Sequence, residues 1–202
     1  MIHRTLLLSL LAAAVFCSST NASTIIVDSV TGADNRAAMV AAAGQTFTTG
    51  VLGTDNRLSS ISILGDPGGA ANTSTVSAEL RLDTDGDFTT WDPGTLVASS
   101  TNSQVIAASN TLFTFNFSNE LLSDNTVYVL SFSDGIGNHV AFRSALNSGG
   151  DSLANGALFS GGVQPFGGAY DASIQVVGVP EVSTLGLLMI AGLGVSIRRR
   201  RR

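Results

Sequence analysis

The stretch Phe113-Thr114-Phe115-Asn116-Phe117 sets three aromatic rings at alternate positions with two polar side chains between them. Successive residues of an extended strand point to opposite faces, so this segment is apolar on one side and polar on the other. A helix would scatter the same rings around its circumference. Val76-Ser77-Ala78-Glu79-Leu80-Arg81-Leu82 repeats the pattern. Short runs rich in Val, Ile, Thr and Phe recur along the chain, broken by Gly, Asn, Asp and Ser. The best are residues 24–28, 44–49, 58–64, 75–82, 95–100, 112–118, 126–133, 139–143 and 172–177. About nine such strands, each buried on one side, predict an all-β fold over residues 23–179, a two-sheet antiparallel β-sandwich of jelly-roll type. Leu80, Leu82, Phe113, Phe115, Phe117, Val127, Val129 and Ile174 are its expected core. Residues 35–43 are alanine-rich and form a helix candidate between Gly32 and Gly44. Residues 144–168, rich in Gly, Ser and Asn, are expected as long loops pinned down by Leu153, Leu158, Phe159 and Phe166.

Both ends of the chain have a different character. The basic start Met1-Ile2-His3-Arg4 precedes an apolar run through Phe16, then small residues and Thr20-Asn21-Ala22. That order is a secretory signal peptide over residues 1–22, with cleavage after Ala22. The apolar run is about 12 residues, short of the roughly 20 needed to cross a bilayer. Cys17 is the only cysteine and would leave with the signal peptide, and Phe16 before it does not suit a lipoprotein signal. The mature chain is therefore free of disulfides and must be held by its core. Residues 23–179 carry fourteen acidic residues against four arginines, a net charge of −10, and the chain has no lysine. Such a surface repels nucleic acid and anionic polymers. It suits divalent cations, neutral glycans or plain solubility.

At the other end, Val179-Pro180-Glu181-Val182-Ser183-Thr184 leads into an apolar run from Leu185 to Ile197. Arg198, Arg199, Arg200, Arg201 and Arg202 come last, half of the chain's ten positive charges. A proline boundary, an apolar helix at 182–197 and a basic stop form a transmembrane stop-transfer pattern, with the arginines cytoplasmic and the body outside. Five consecutive arginines do not end a buried core helix. The layout resembles the PEP-CTERM sorting signal of Gram-negative bacteria, with Pro180 and Glu181 at the first two motif positions and Val182 where the second proline would stand. The resemblance covers residues 180–202. It implies an exosortase-type transpeptidase as partner and transfer to the cell surface or an extracellular polysaccharide matrix. Three stretches of the body resemble choice-of-anchor ectodomains, the R type in particular. They are Gln45-Thr46-Phe47-Thr48-Thr49-Gly50 with the later 58–63, Pro93-Gly94-Thr95-Leu96-Val97 after an acidic loop, and Asp171-Ala172-Ser173-Ile174-Gln175-Val176. That resemblance implies a fold and an address and no activity.

Asp83-Thr84-Asp85-Gly86-Asp87 is the sharpest local feature. Carboxylates at alternate positions converge on one Ca²⁺ when the chain curls at a glycine, and Asp92 offers a further ligand. Against the EF-hand pattern, Phe88 replaces the glycine of position six and Gly94 the acid of position twelve. A solvated hairpin turn uses the same residue types. Trp91, the only tryptophan, shares this loop. It either stacks on a sugar or closes the core. His139 is the only histidine outside the signal peptide, so any Ser-His-Asp site rests on it, and multi-histidine or cysteine zinc sites lack ligands. Glu79 and Glu120 are the only glutamates of residues 23–179 for an acid pair of the glycosidase kind. These counts favour a non-enzymatic structural or adhesive surface module. The alternative is a carbohydrate-binding module stabilised by Ca²⁺, and the third reading is a hydrolase of extracellular polymer.

Overall fold

The computed structural model describes residues 23–30, 43–65, 75–107, 111–134, 144–147, 150–151, 153–164 and 171–180. The signal peptide, the C-terminal segment from Glu181, the helix candidate apart from Ala43, the strand expected at 139–143 and Phe166 lie outside the described residues. Every regular element among the described residues is a strand. β1 (Thr24–Asp28), β3 (Arg57–Gly65), β7 (Thr111–Leu121) and β13 (Ile174–Val179) form one antiparallel sheet in the order β1-β13-β3-β7. β2 (Ala43–Thr48), β4 (Thr75–Asp83), β5 (Pro93–Ser99), β8 (Val127–Asp134) and β11 (Gly156–Ser160) form a second in the order β11-β2-β8-β4-β5, and β6 (Gln104–Val105) adds to β4. A smaller ribbon joins β9 (Ser144–Asn147), β10 (Gly150–Asp151) and β12 (Asp171–Ala172). Among the described residues no helix is long and apolar enough to cross a membrane.

The two large sheets share one core. Ile61, Ile63, Phe115 and Ile174 from the first sheet meet Phe47, Leu80, Tyr128 and Leu130 from the second, each essentially removed from water. Burying side chains of this size stabilises the fold by about 1.5–3 kcal/mol each. Of the expected core residues, Leu80, Phe115, Phe117, Val127, Val129 and Ile174 are buried. Phe113 is half-buried against the core. Leu82 is 37% exposed and corrects the expectation, because β4 there runs past its cover into the acidic loop. Residues 144–168 are the larger correction. They contain β9, β10 and β11, and β11 pairs along β2 from Gly156↔Phe47 to Ser160↔Ala43. Gly156, Ala157, Leu158 and Phe159 are buried in succession, so both faces of β11 are covered and the segment shows no alternation. Leu158 and Phe159 pin the segment as expected, with Leu153 packed beside them.

A polar clasp crosses between the sheets. Gln45 lies opposite Leu130 on the core side of β2 and is fully buried. Its Nε2 donates to Asp171 Oδ1 at 2.8 Å, and its Oε1 accepts from Ala172 N at 2.8 Å. Asp171 Oδ2 accepts from Leu153 N, and the buried Ser29 hydroxyl donates to Ala172 O while accepting from Ile174 N. Buried polar groups are tolerated when bonded in this way. Two of the stretches that resemble the ectodomain family, at 45–50 and 171–176, thus meet in space.

Candidate functional site

Asp83 at the end of β4 and the loop from there to β5 carry the four candidate Ca²⁺ ligands and Trp91, and the loop lies back against the sheet with its acidic tip exposed. Directly opposed residues of neighbouring strands share a face. The rows Arg81–Val129–Thr46–Ala157 and Glu79–Ser131–Gly44–Phe159 therefore line the outer side of the second sheet. The loop folds back over these rows. Thr46 Oγ1 donates to Phe88 O at 2.6 Å and accepts from Ala157 N at 2.9 Å. Gln164 Nε2 donates to Thr89 O at 2.8 Å. Val129 and Phe159 are buried beneath, which makes a second, smaller apolar layer outside the sandwich.

Trp91 is the lid of that layer. Its ring lies 5.2 Å from the Phe159 ring, tilted by 39°. Gly44 lets it approach the strand, since a β-carbon there would collide with the ring. Trp91 is half-buried on the outer face of the sheet, away from the end of the main core where the sequence had set its packing role. The indole face against Phe159 is already occupied and does not present to a sugar.

The four aspartates are placed differently from one another. Gly86, with φ 75°, turns the chain. Asp83 Oδ1 accepts from Gly86 N at 2.7 Å, and Asp83 Oδ2 is buried with no donor in reach. Burial first, and the adjoining Asp85 carboxyl second, hold Asp83 above the ordinary carboxylate range. Asp85 Oδ1 accepts from Asp87 N at 2.8 Å, and Thr90 Oγ1 lies 3.0 Å from Asp85 Oδ2. The Asp87 amide first, and the Asp83 carboxyl second, hold Asp85 below that range. Asp83 and Asp85 are thus poised to share one proton. Asp87 turns the other way, onto Thr89 N and Thr89 Oγ1. Asp92 is exposed, and its carbonyl bonds Thr84. Among the described residues no three acids, histidines or cysteines converge as a metal-ligand set.

Of the other candidates, Glu79 is held by Arg81 at 3.0 Å on the outer face of the second sheet. Glu120 sits near the end of β7 in the first sheet, so the structure does not bring the two glutamates together. Pro180 is half-buried at the end of β13. His139, Glu181 and the five terminal arginines lie outside the described residues. The sequence reading missed Gln45 and Asp171. A lone amide and a lone acid in otherwise strand-like segments were the only signal.

No family model and no curated protein matches the chain. Among solved structures, the chain is similar to a clostridial cysteine protease, Cwp84, in a variant form after propeptide cleavage, at 10% identity and a TM-score of 0.47. It is also similar to the cysteine protease and lectin-like domains of Cwp84, a surface layer associated protein of Clostridium difficile, at 9% identity and a TM-score of 0.44. These alignments cover 79% and 70% of this chain but span only 40% and 32% of those chains.

Proposed function

We propose that the protein is exported, held in the membrane by residues 182–197 with Arg198–202 on the cytoplasmic side, and handed by an exosortase-type transpeptidase to the cell surface or extracellular matrix. There the sandwich, which we read as jelly-roll-like, acts as a structural or adhesive module and not as an enzyme. The observation that carries this reading is where the folded body begins and ends. β1 lies against β13, with Thr24 opposite Gly178. The body therefore opens just after the leader-like segment and closes just before Pro180-Glu181, at one pole. A domain laid out in this way hangs from a single tether with its remaining surface free.

The intact mass of protein recovered from the cell surface tests the reading. A mature chain that starts at Ser23 and lacks the five terminal arginines is the expected result. Deleting residues 182–202 should release the domain in soluble form, and Val182→Pro should leave processing as good or better. Recovery of surface protein with its arginines intact would show a permanent anchor in place of a sorting signal. A deletion variant still fixed to the membrane would remove both readings.

A further inference from the structure

The pole at which the body closes is shaped by few residues. The last ladder row of the first sheet is Val179–Arg57–Leu121. The loop between β2 and β3 is tied down beside it, with Asn125 N donating to Gly50 O, Leu52 N to Asp124 Oδ1 and Leu122 N to Asn56 O. On this pole Val51 is 79% exposed, Leu121 56% and Ile25 52%. Ile25 and Val51 line one half-open concavity of about 230 Å³, with Asp55 at its edge. We infer that this pole rests on the lipid bilayer surface, with Val51 and Ile25 in the headgroup layer.

The inference rests on the anchor reading and adds a constraint from chain length. Glu181 alone separates Pro180 from the proposed membrane segment at 182–197, and at most four residues, Glu181 to Thr184, separate it from the strictly apolar run at Leu185. Fully extended they span roughly 14 Å. The headgroup zone of one leaflet occupies about 5–8 Å of that distance. Roughly 6–9 Å of tether is left outside the headgroups, so the pole stays close to the membrane. It turns outward Val51, Ile25 and Leu121 among polar residues such as Thr24, Ser123 and Asn125. Exposed apolar residues alone do not single out this pole, because Val105 is 43% exposed at the opposite end of β4, paired with Thr75. What sets Val51 apart is that it lines one concavity with Thr24 and Ile25, which pair with Gly178 and Val177 at the end of β13. The acids of this pole, Asp55 and Asp124, are bonded to Thr24 Oγ1 and Leu52 N. Bonds from neutral donors leave the acidic charge in place, and Glu120 lies one row away, so zwitterionic lipid suits this pole better than anionic lipid.

The test uses the full chain with Cys17→Ser and a single cysteine, Val51→Cys or Val105→Cys, labelled with a polarity-sensitive fluorophore. The chain is reconstituted into phosphatidylcholine vesicles that contain lipid brominated near the headgroup. The label at position 51 should be blue-shifted and quenched at least twofold more than the label at position 105. Equal quenching at the two positions in a chain that floats with the vesicles overturns the inference and leaves the anchor standing. A chain that does not float at all overturns the anchor reading and this inference with it.

Discussion

A β-carbon on Gly44 would overlap the Trp91 ring and stand 2.6 Å from the Leu130 carbonyl oxygen. Gly44→Ala should therefore lift the acidic loop from the outer face and cost about 1–3 kcal/mol, as overpacking does. In a Trp91→Ala background the ring is gone and part of that cost should vanish. The double variant should then be less destabilised than the sum of the singles in denaturant melts. Strict additivity would show that Trp91 does not rest on Gly44. The same loop carries a pH signature. Asp83 is raised, so its favourable, protonated form is fully present below its unfolded value and is lost as pH rises through the folded one. Asp85 is lowered, so its contribution is present above its unfolded value and is lost as pH falls through the folded one. Above the raised Asp83 range the two carboxylates stand ionised side by side. Asp83→Asn keeps an acceptor for Gly86 N and supplies a donor to Asp85. It should raise the melting temperature at pH 7, by an amount that shrinks as pH falls into the range where Asp83 takes up its proton. A lower melting temperature at pH 7 would refute this account of the pair. A Ca²⁺-dependent rise in melting temperature that Asp85→Ala abolishes would assign the two carboxylates to a cation instead.

Elements that bury one face announced themselves, and elements that bury two did not. Phe113 to Phe117 and Val76 to Leu82 alternate because each has a core side and a solvent side, and both are strands. β11 is covered on both sides, so Gly156-Ala157-Leu158-Phe159-Ser160 shows no period and its flanking glycines made it look like a loop. The turn chemistry of the acidic loop was equally legible in its Asp and Gly content. Its return onto the sheet was not, because that depends on Gly44, Thr46 and Gln164, which are supplied by segments far from the loop in sequence. The clasp between Gln45 and Asp171 spans 126 positions and left no local trace. Its energetics are nonetheless testable. Asp171→Ala removes one of the two acceptors of the buried Gln45 Nε2, which keeps Thr46 O, and the carboxylate partner of the part-buried Leu153 N. Each buried donor left unmet costs about 1–3 kcal/mol. Asp171→Ala should thus destabilise by about 2–5 kcal/mol, whereas Gln45→Ala with Asp171→Ala should cost less than the two singles together. A loss below about 1 kcal/mol for Asp171→Ala, the least that one unmet buried donor costs, would mean that the clasp does not hold the sheets.

The body from Ser23 to Pro180 is closed by the last strand of the described residues. β13 is not an edge; it runs between β1 and β3, paired from Ile174↔Ile63 to Val179↔Arg57 on one side and from Asp28↔Gln175 to Thr24↔Gly178 on the other. Ile174 and Val176 belong to the common core, and Gly178 lets the Asp55 backbone approach so closely that a β-carbon would stand 2.5 Å from its carbonyl oxygen. Removing this strand exposes two ladders and opens the core, so the body cannot reach its native state until residue 179 has been made. If the chain is processed as proposed above, a cut that leaves the body folded must fall after Val179. This gives a paired prediction for two exported truncations. A chain ending at Pro180 should melt cooperatively, at the temperature of the body in the full chain, because the ladders and core of the described residues are complete by that point. A chain ending at Ser173 should show no cooperative melt and should be degraded rapidly by added protease, since unfolded chain is its substrate. The natural product should accordingly have its C-terminus at or beyond residue 180 when its mass is measured. A mature surface form ending before Ile174 that still melts cooperatively would show that β13 is dispensable and that the sheet closes some other way.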